Sequence, residues 1–275
     1  MSTRERSRSA PAGAADAGPR EQRTTTTVIQ LPHGTRPAEA PDHQIIREVQ
    51  RRLRAQQGEL GPRRPVPILD QVVGTVLSQH TSDVNSGRAF ARFKARFPAW
   101  EQVMHAPVED IEDAIRCGGL ARQKARRIKG ILNAIEEREG RIDLSRLHDL
   151  GDLAAESYLT SLPGAGPKTA ACVLAFSMGR AAFPIDTHVH RVVTRLGWIP
   201  AGTTAEKAYQ LVAQRVPAGI RYDLHLTLIR HGRTVCLARR PRCEVCVLLD
   251  LCPHGQAVVR QRAEPMSMAA SSTSA

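Results

Sequence analysis

The sequence predicts an all-α fold, and three observations carry that prediction. Apolar residues recur at helical spacing along most of the chain between about residue 42 and about 258, short connections containing Gly or Pro interrupt the recurrence, and nothing reads as paired strands. The elements follow in order. Ile45, Ile46, Val49 and Leu53 set a first apolar stripe, Val72, Val73, Val76 and Leu77 a second, and Ala89, Phe90, Phe93 and Phe97 a third. Ile128, Ile131, Leu132 and Ile135 set the next, and further helices are expected over 167–178, 186–197, 204–215 and about 221–231. No period of a helical solenoid is apparent. The two ends read differently. Residues 1–41 are rich in Ala, Pro, Gly, Thr and Arg without apolar periodicity, and 259–275 end in "MSMAASSTSA"; neither buries enough surface to offset ordering, so both are expected to be disordered tails.

The chain of 275 residues has 41% hydrophobic content, enough for one large core or two smaller ones. Its 39 Lys and Arg against 27 Asp and Glu give a net charge of +12, which suits a polyanion partner, nucleic acid ahead of a membrane surface. No apolar run approaches the roughly 20 residues a membrane span needs, and the N-terminus lacks the apolar centre of a signal peptide. A cytoplasmic protein is expected.

Four of the six cysteines, Cys236, Cys243, Cys246 and Cys252, form a C-x6-C-x2-C-x5-C array in "CLARRPRCEVCVLLDLC". In a reducing compartment such an array binds metal more readily than it forms disulfides. Four thiolates suit zinc or an iron–sulfur cluster. Zinc ribbons usually carry two separated C-x2-C knuckles, whereas this array has one with compact flanks, which favours a [4Fe–4S] cluster. Arg239, Arg240 and Arg242 lie between the first two of these cysteines, where a pinned loop presents cations to phosphate or simply solvates charge. The remaining Cys117 and Cys172 read as small buried hydrophobes.

The stretch "LPGAGPKTAACVLAF", 162–176, places two glycines and a proline before a helical run with Lys168 on its first turn. Gly164 and Gly166 can take positive φ, Pro167 is preset for a first helical position, and together they signal a helix–hairpin–helix. Such a hairpin brings backbone N–H groups close to DNA phosphate. A helix start favours anions, so Lys168 gains nothing locally. Downstream, "FPIDTHVHRVV" sets Asp186 before another apolar run, where N-capping alone explains an Asp. If amine and carboxylate share a cleft, one can attack a sugar carbon while the other stabilises oxocarbenium charge.

Hairpin, lysine, downstream aspartate and cysteine array together resemble the endonuclease III family, the iron–sulfur branch of the helix–hairpin–helix DNA glycosylases, over about 42–258. The resemblance implies two helical domains: a six-helix barrel over 66–182 that contains the hairpin, and a cluster domain over 183–258 joined by the N-terminal helix of 42–65. The active cleft would lie between them. It implies Lys168 and Asp186 as catalytic residues, the four cysteines as ligands of a [4Fe–4S] cluster, and duplex DNA with a damaged base or an abasic site as partner. A monomer associated with the nucleoid, with no membrane contact, is expected. The activity implied is that of a bifunctional DNA glycosylase and AP lyase removing oxidised pyrimidines. Leu120 in "CGGLARQKARR" falls where the family inserts an apolar wedge, the alternative being a leucine that packs on the core. Arg122, Lys124, Arg126, Arg127 and Lys129 follow it, as DNA contacts or as a solvated face.

Two positions depart from the family pattern. Where the family carries a gap-filling glutamine in Leu-Ser-x-Gln-x-x-Asp, this chain reads "LSQHTSD": His80 holds that position and Gln79 precedes it. Pro167 removes one backbone donor from the hairpin. Two rivals stay open. A monofunctional or mismatch-type glycosylase shares the cluster, though the adenine-specific branch lacks this lysine; a noncatalytic iron–sulfur DNA-binding protein needs neither Lys168 nor Asp186.

Overall fold

The computed structural model describes residues 42–213 and 215–270. Twelve α-helices and no strand occur among them. In chain order these are α1 (His43–Gln57), α2 (Ile68–Ser78), α3 (Asp83–Arg96), α4 (Trp100–His105), α5 (Val108–Ile115), α6 (Ala121–Glu139), α7 (Asp152–Thr160), α8 (Pro167–Cys172), α9 (Thr187–Arg195), α10 (Ala205–Ala213), α11 (Arg221–Thr234) and α12 (Pro253–Ala270). Side chains fix several starts. Asp42, Ser82 and Asp186 accept from backbone N–H groups in the first turns of α1, α3 and α9, satisfying donors that a helix start leaves free.

Two apolar cores hold these helices together. The first gathers Val72, Val76, Phe93, Ile111, Ile128 and Leu132 with their neighbours, all from the chain between Ile68 and Val173. The second joins Ile46, Val49 and Leu53 of α1 to Phe183, Val189, Val193, Leu224, Leu228 and Leu248 from the far end of the chain. Each such fully buried side chain contributes roughly 1.5–3 kcal/mol. A smaller cluster of Ala155, Ala171, Leu174, Ala175 and Ala182 forms around the hairpin helices. Polar links pin α1 to α11: Arg54 lies 2.6 Å from Asp223, and Gln57 donates to the Thr227 carbonyl at 3.0 Å.

The helical periodicity anticipates α1, α2, α3, α6, α9, α10 and α11, and misses α4, α5 and α7, which run for 6, 8 and 9 residues. α4 and α5 show little more than one repeat of a stripe, and α7, as long as α9, buries only Ala155 and Leu159 where α9 buries three valines. Ile45 is not part of the α1 core stripe; it is 43% exposed while Ile46 is fully buried, because one residue turns the side chain about 100° around the helix. The helix expected over 167–178 changes pitch: α8 ends at Cys172 and Val173–Ser177 form a π-helical turn, where Arg63 donates to the Ala175 carbonyl and, at 3.3 Å, to that of Gly179. At the C-terminus, α12 runs through much of the stretch read as a loose tail over 259–275. Its first turn is tied to the cysteine array, with Gly255 N–H donating to Cys252 Sγ at 3.3 Å, and Arg262 pairs with Glu244. Residues 271–275 and the expected basic tail over 1–41 lie outside the described residues. No helix among those described is long and apolar enough to cross a membrane.

Candidate active site

The turn between α7 and α8 is the hairpin that the glycines predict. Gly164 adopts φ 73°, whereas Gly166, the N-cap of α8, has φ −95° and needs no glycine freedom. Pro167 starts α8, so Lys168 projects from its first turn. Lys168 is half-buried, and among the described residues its ammonium has no hydrogen bond or ion pair.

Asp186 ends an extended segment and caps α9, with Oδ1 accepting from Val189 N–H at 2.7 Å. The cap uses one oxygen and leaves the carboxylate half-buried rather than sealed. Lys168 and Asp186 line one cleft of about 880 Å³, together with Ser78 to Asp83, Ile185, Thr187, His188, His190, Thr203, Ala205 and Arg233. A neighbouring recess of about 390 Å³ continues it past Gln79, Glu206 and Tyr209.

Two buried groups back this pair. Burial pushes the Cys172 thiol up to about 11, while Lys168 lowers it and Asp186 raises it, so the thiol is inert and feels both charges. His225 is 2% exposed, with its ring 5.5 Å from Phe176 and 6.0 Å from Phe183 between centroids. Its Nδ1 lies 2.9 Å from the Pro184 carbonyl, which only accepts, so Nδ1 carries the proton and the imidazole anchors the segment leading to Asp186. Burial pulls its pKa down to about 4; Asp186 raises it, and Lys168 and Arg233 lower it.

The sequence identifies Cys172 as a buried hydrophobe but gives no sign of His225, nor of the ion pair of Asp83 on α3 with Arg233 on α11, 2.5 Å apart, which links two walls of the cleft. His188 and His190 also line the cleft, and their signal in the sequence is their place in the first turn after a capping Asp.

The other candidates fall into three groups. Gln79 and His80 both line the cleft: Gln79 is half-buried with Oε1 accepting from Arg127 at 2.5 Å, while His80 is exposed with φ 53°. Leu120 is 49% exposed at φ 50°, outside the core. The third group is the set of cations after it. Arg122 and Arg126 are exposed, but Lys124 and Lys129 cap backbone carbonyls, Lys129 reaching the carbonyl of Ala106 at 2.9 Å. Arg239, Arg240 and Arg242 are all exposed on their loop.

Cys236, Cys243, Cys246 and Cys252 line a single cavity beside α9, α11 and α12. All four are free thiols, and N–H groups point at their sulfurs: Arg195 at Cys236 (3.3 Å), Leu248 at Cys246 (3.4 Å) and Gly255 at Cys252 (3.3 Å). His231 adds its Nε2 at 3.7 Å from Cys246 Sγ, while its buried Nδ1 finds no partner among the described residues. Burial and the neighbouring cysteines push the Cys246 thiol up to about 11, and burial raises those of Cys243 and Cys252, so these three become thiolates only beside a strong positive charge. Soft donors with N–H groups aimed at sulfur fit an iron–sulfur cluster.

The chain matches two family models. Residues 73–218 match the HhH-GPD superfamily base excision DNA repair proteins, and residues 236–252 match the iron–sulfur binding domain of endonuclease III. The endonuclease III of Thermotoga maritima is 31% identical over 225 residues, covering 80% of this chain and 98% of that protein. A protein of Arabidopsis thaliana, provisionally named a DNA glycosylase, is 42% identical over 166 residues; the aligned part is 60% of this chain and 57% of that one. Among solved structures, a non-covalent endonuclease III–DNA complex superimposes with a TM-score of 0.69 at 27% identity, covering 80% of this chain and 99% of that one. A hairpin facing a cleft, a sulfur-donor cavity and these likenesses converge: the chain belongs to the endonuclease III family of base excision repair, a DNA-binding DNA glycosylase with a [4Fe–4S] cluster.

Proposed function

We propose that this chain is a bifunctional DNA glycosylase and AP lyase that removes oxidised pyrimidines from duplex DNA and nicks 3′ to the abasic site. The observation that carries this reading is the shared cleft: Lys168 and Asp186 both line it, and Lys168 has no ion-pair partner among the described residues. A target base inside a duplex is out of reach, so the nucleotide is extruded. A cleft of about 880 Å³ lies within the roughly 300–1,000 Å³ typical of sites for molecules of nucleoside size.

In the proposed reaction the C1′–N bond breaks and its electron pair leaves with the base, while the Asp186 carboxylate stabilises the positive charge developing on the sugar. The neutral Lys168 amine bonds to C1′ and releases a proton, and the C1′–O4′ bond then breaks with its electron pair going to O4′, which takes up a proton, leaving a protonated C1′=N Schiff base. The resulting Schiff base permits β-elimination of the 3′ phosphate. That Lys168 has no ion-pair partner among the described residues supports the nucleophile role, since no carboxylate holds the amine away from the sugar. A DNA-linked covalent intermediate of endonuclease III, a protein 27% identical to this chain, has been trapped, which supports a covalent route here.

We assign Cys236, Cys243, Cys246 and Cys252 as cluster ligands; the cluster supplies a fixed cross-link that holds the loop of Arg239, Arg240 and Arg242 for phosphate contact. Gly164, Gly166, Leu120, Gln79 and His80 are assigned to DNA contact. The protein is taken to act as a monomer.

The test is a panel of duplexes bearing thymine glycol, dihydrouracil, uracil or an abasic site, with excision and nicking scored separately. Efficient excision and nicking of the first two is expected. Asp186→Asn retains the N-cap, so it should keep its melting temperature and DNA affinity while losing most turnover, roughly 10²-fold or more. Excision without nicking at any lesion would contradict the lyase assignment.

A further inference from the structure

Three loops that the proposed function turns towards DNA each contain a left-handed residue: His80 (φ 53°) after α2, Leu120 (φ 50°) before α6, and Gly164 (φ 73°) in the hairpin. A non-glycine side chain stays in that region only where its surroundings hold it. Here the surroundings are one face of α6.

Lys124, one turn into α6, is 3% exposed. Its Nζ donates to the Leu77 carbonyl at 2.8 Å and to the Gly118 carbonyl at 2.9 Å. The first of these is an end carbonyl of α2, just before Gln79 and His80; the second lies just before Gly119 and Leu120. One ammonium therefore fixes the roots of two loops. A helix end and a tight turn both leave carbonyls short of donors, which gives a buried cation something to satisfy. Gly118 is packed tightly against α3, where a Cβ would stand 3.0 Å from the Cβ of Ala89.

Arg127 lies one turn further along the same helix. It donates to Gln79 Oε1 at 2.5 Å, and its side chain lies so close to Gly164 that a Cβ at that glycine would stand 2.3 Å from Cδ and Nε. The third loop is thus seated on the second cation.

We propose that Lys124 and Arg127 are positioning residues, which hold the 77–80 turn, the 118–120 loop and the hairpin turn in one fixed register so that gap-filling groups and hairpin reach the duplex together. The inference rests on the reading that these loops meet DNA. It assigns neither side chain to phosphate, unlike the exposed Arg122 and Arg126 on the same helix.

The test uses the holoenzyme and two probes: a duplex with 2-aminopurine opposite a tetrahydrofuran site, and a natural abasic duplex for borohydride trapping. Wild type should change 2-aminopurine emission on binding, because a protein group enters the space opposite. Arg127→Met, which removes only a half-buried fork, should lose about half or more of that amplitude at saturation, with an unchanged melting temperature and trapping within about threefold of wild type. Lys124→Met should lose more of the amplitude. Full amplitude in Arg127→Met would overturn the inference, as would amplitude and trapping falling by the same factor. No emission change in wild type would also overturn it, whereas wild type that gives the emission change but no borohydride adduct would overturn the proposed function and leave the positioning role standing.

Discussion

Two runs of cations in this chain read alike in sequence and behave differently in space. On α6, the helical period sorts Arg122, Lys124, Arg126, Arg127 and Lys129: the first and third are exposed, while the others turn in to five backbone carbonyls and one amide oxygen. In the cysteine loop no helix does the sorting, and Arg239, Arg240 and Arg242 all remain exposed. The difference teaches that a helix beside a core sorts a charge run by face, whereas a loop leaves each of its cations at the surface. Cations on a helix beside a core also serve as caps for other elements.

The largest expected effect is on folding. Lys124→Met leaves the Leu77 and Gly118 carbonyls buried without a donor, and should cost on the order of 3 kcal/mol in urea unfolding. The triple change Arg239→Gln, Arg240→Gln, Arg242→Gln should leave that stability within about 0.5 kcal/mol. Its effect belongs to binding: affinity for nonspecific duplex at low salt should fall roughly 10- to 100-fold, and the slope of log K against log salt should become shallower by about 2 to 3. A triple variant with the wild-type slope would break the comparison from the other side.

His225 extends the contrast to a base that is buried neutral. Its folded pKa, about 4, lies below the ordinary histidine value of 6.5, so the unfolded chain binds the extra proton first as pH falls. Stability is therefore complete above about pH 6.5 and declines towards pH 4, by up to roughly 1.4 kcal/mol per pH unit from this group. His225→Gln, which keeps a donor for the Pro184 carbonyl, should flatten the profile in that window; an unchanged profile would assign the acid loss elsewhere. The smallest effect is expected at Arg122, where replacement by Gln should change stability by less than about 0.5 kcal/mol and nonspecific affinity by about threefold or less.

Much of the candidate site is legible in sequence because its chemistry sits where local rules are strong. A proline after a glycine, a lysine on the next turn, an aspartate before an apolar run and a dense cysteine array each announce themselves within a few residues. Lys168 and Asp186, 18 positions apart, do line one cleft. What stayed hidden depends on contacts distant in sequence. The bond from Lys124 to Leu77 spans 47 residues, that from Arg127 to Gln79 spans 48, and the pairing of Asp83 with Arg233 joins α3 to α11. Periodicity says which face of a helix is apolar, and it is silent on which carbonyl a buried cation meets. The same limit explains the short α4, α5 and α7, whose stability comes from neighbours rather than from a visible repeat.

The proposed reaction depends on covalent chemistry at Lys168. Borohydride reduction during reaction with an abasic duplex measures it directly: wild type should yield a protein–DNA adduct, and Lys168→Gln, folded and still binding that duplex, should lose it by about 10³-fold. Equal adduct from the two proteins would contradict the account and place the nucleophile elsewhere.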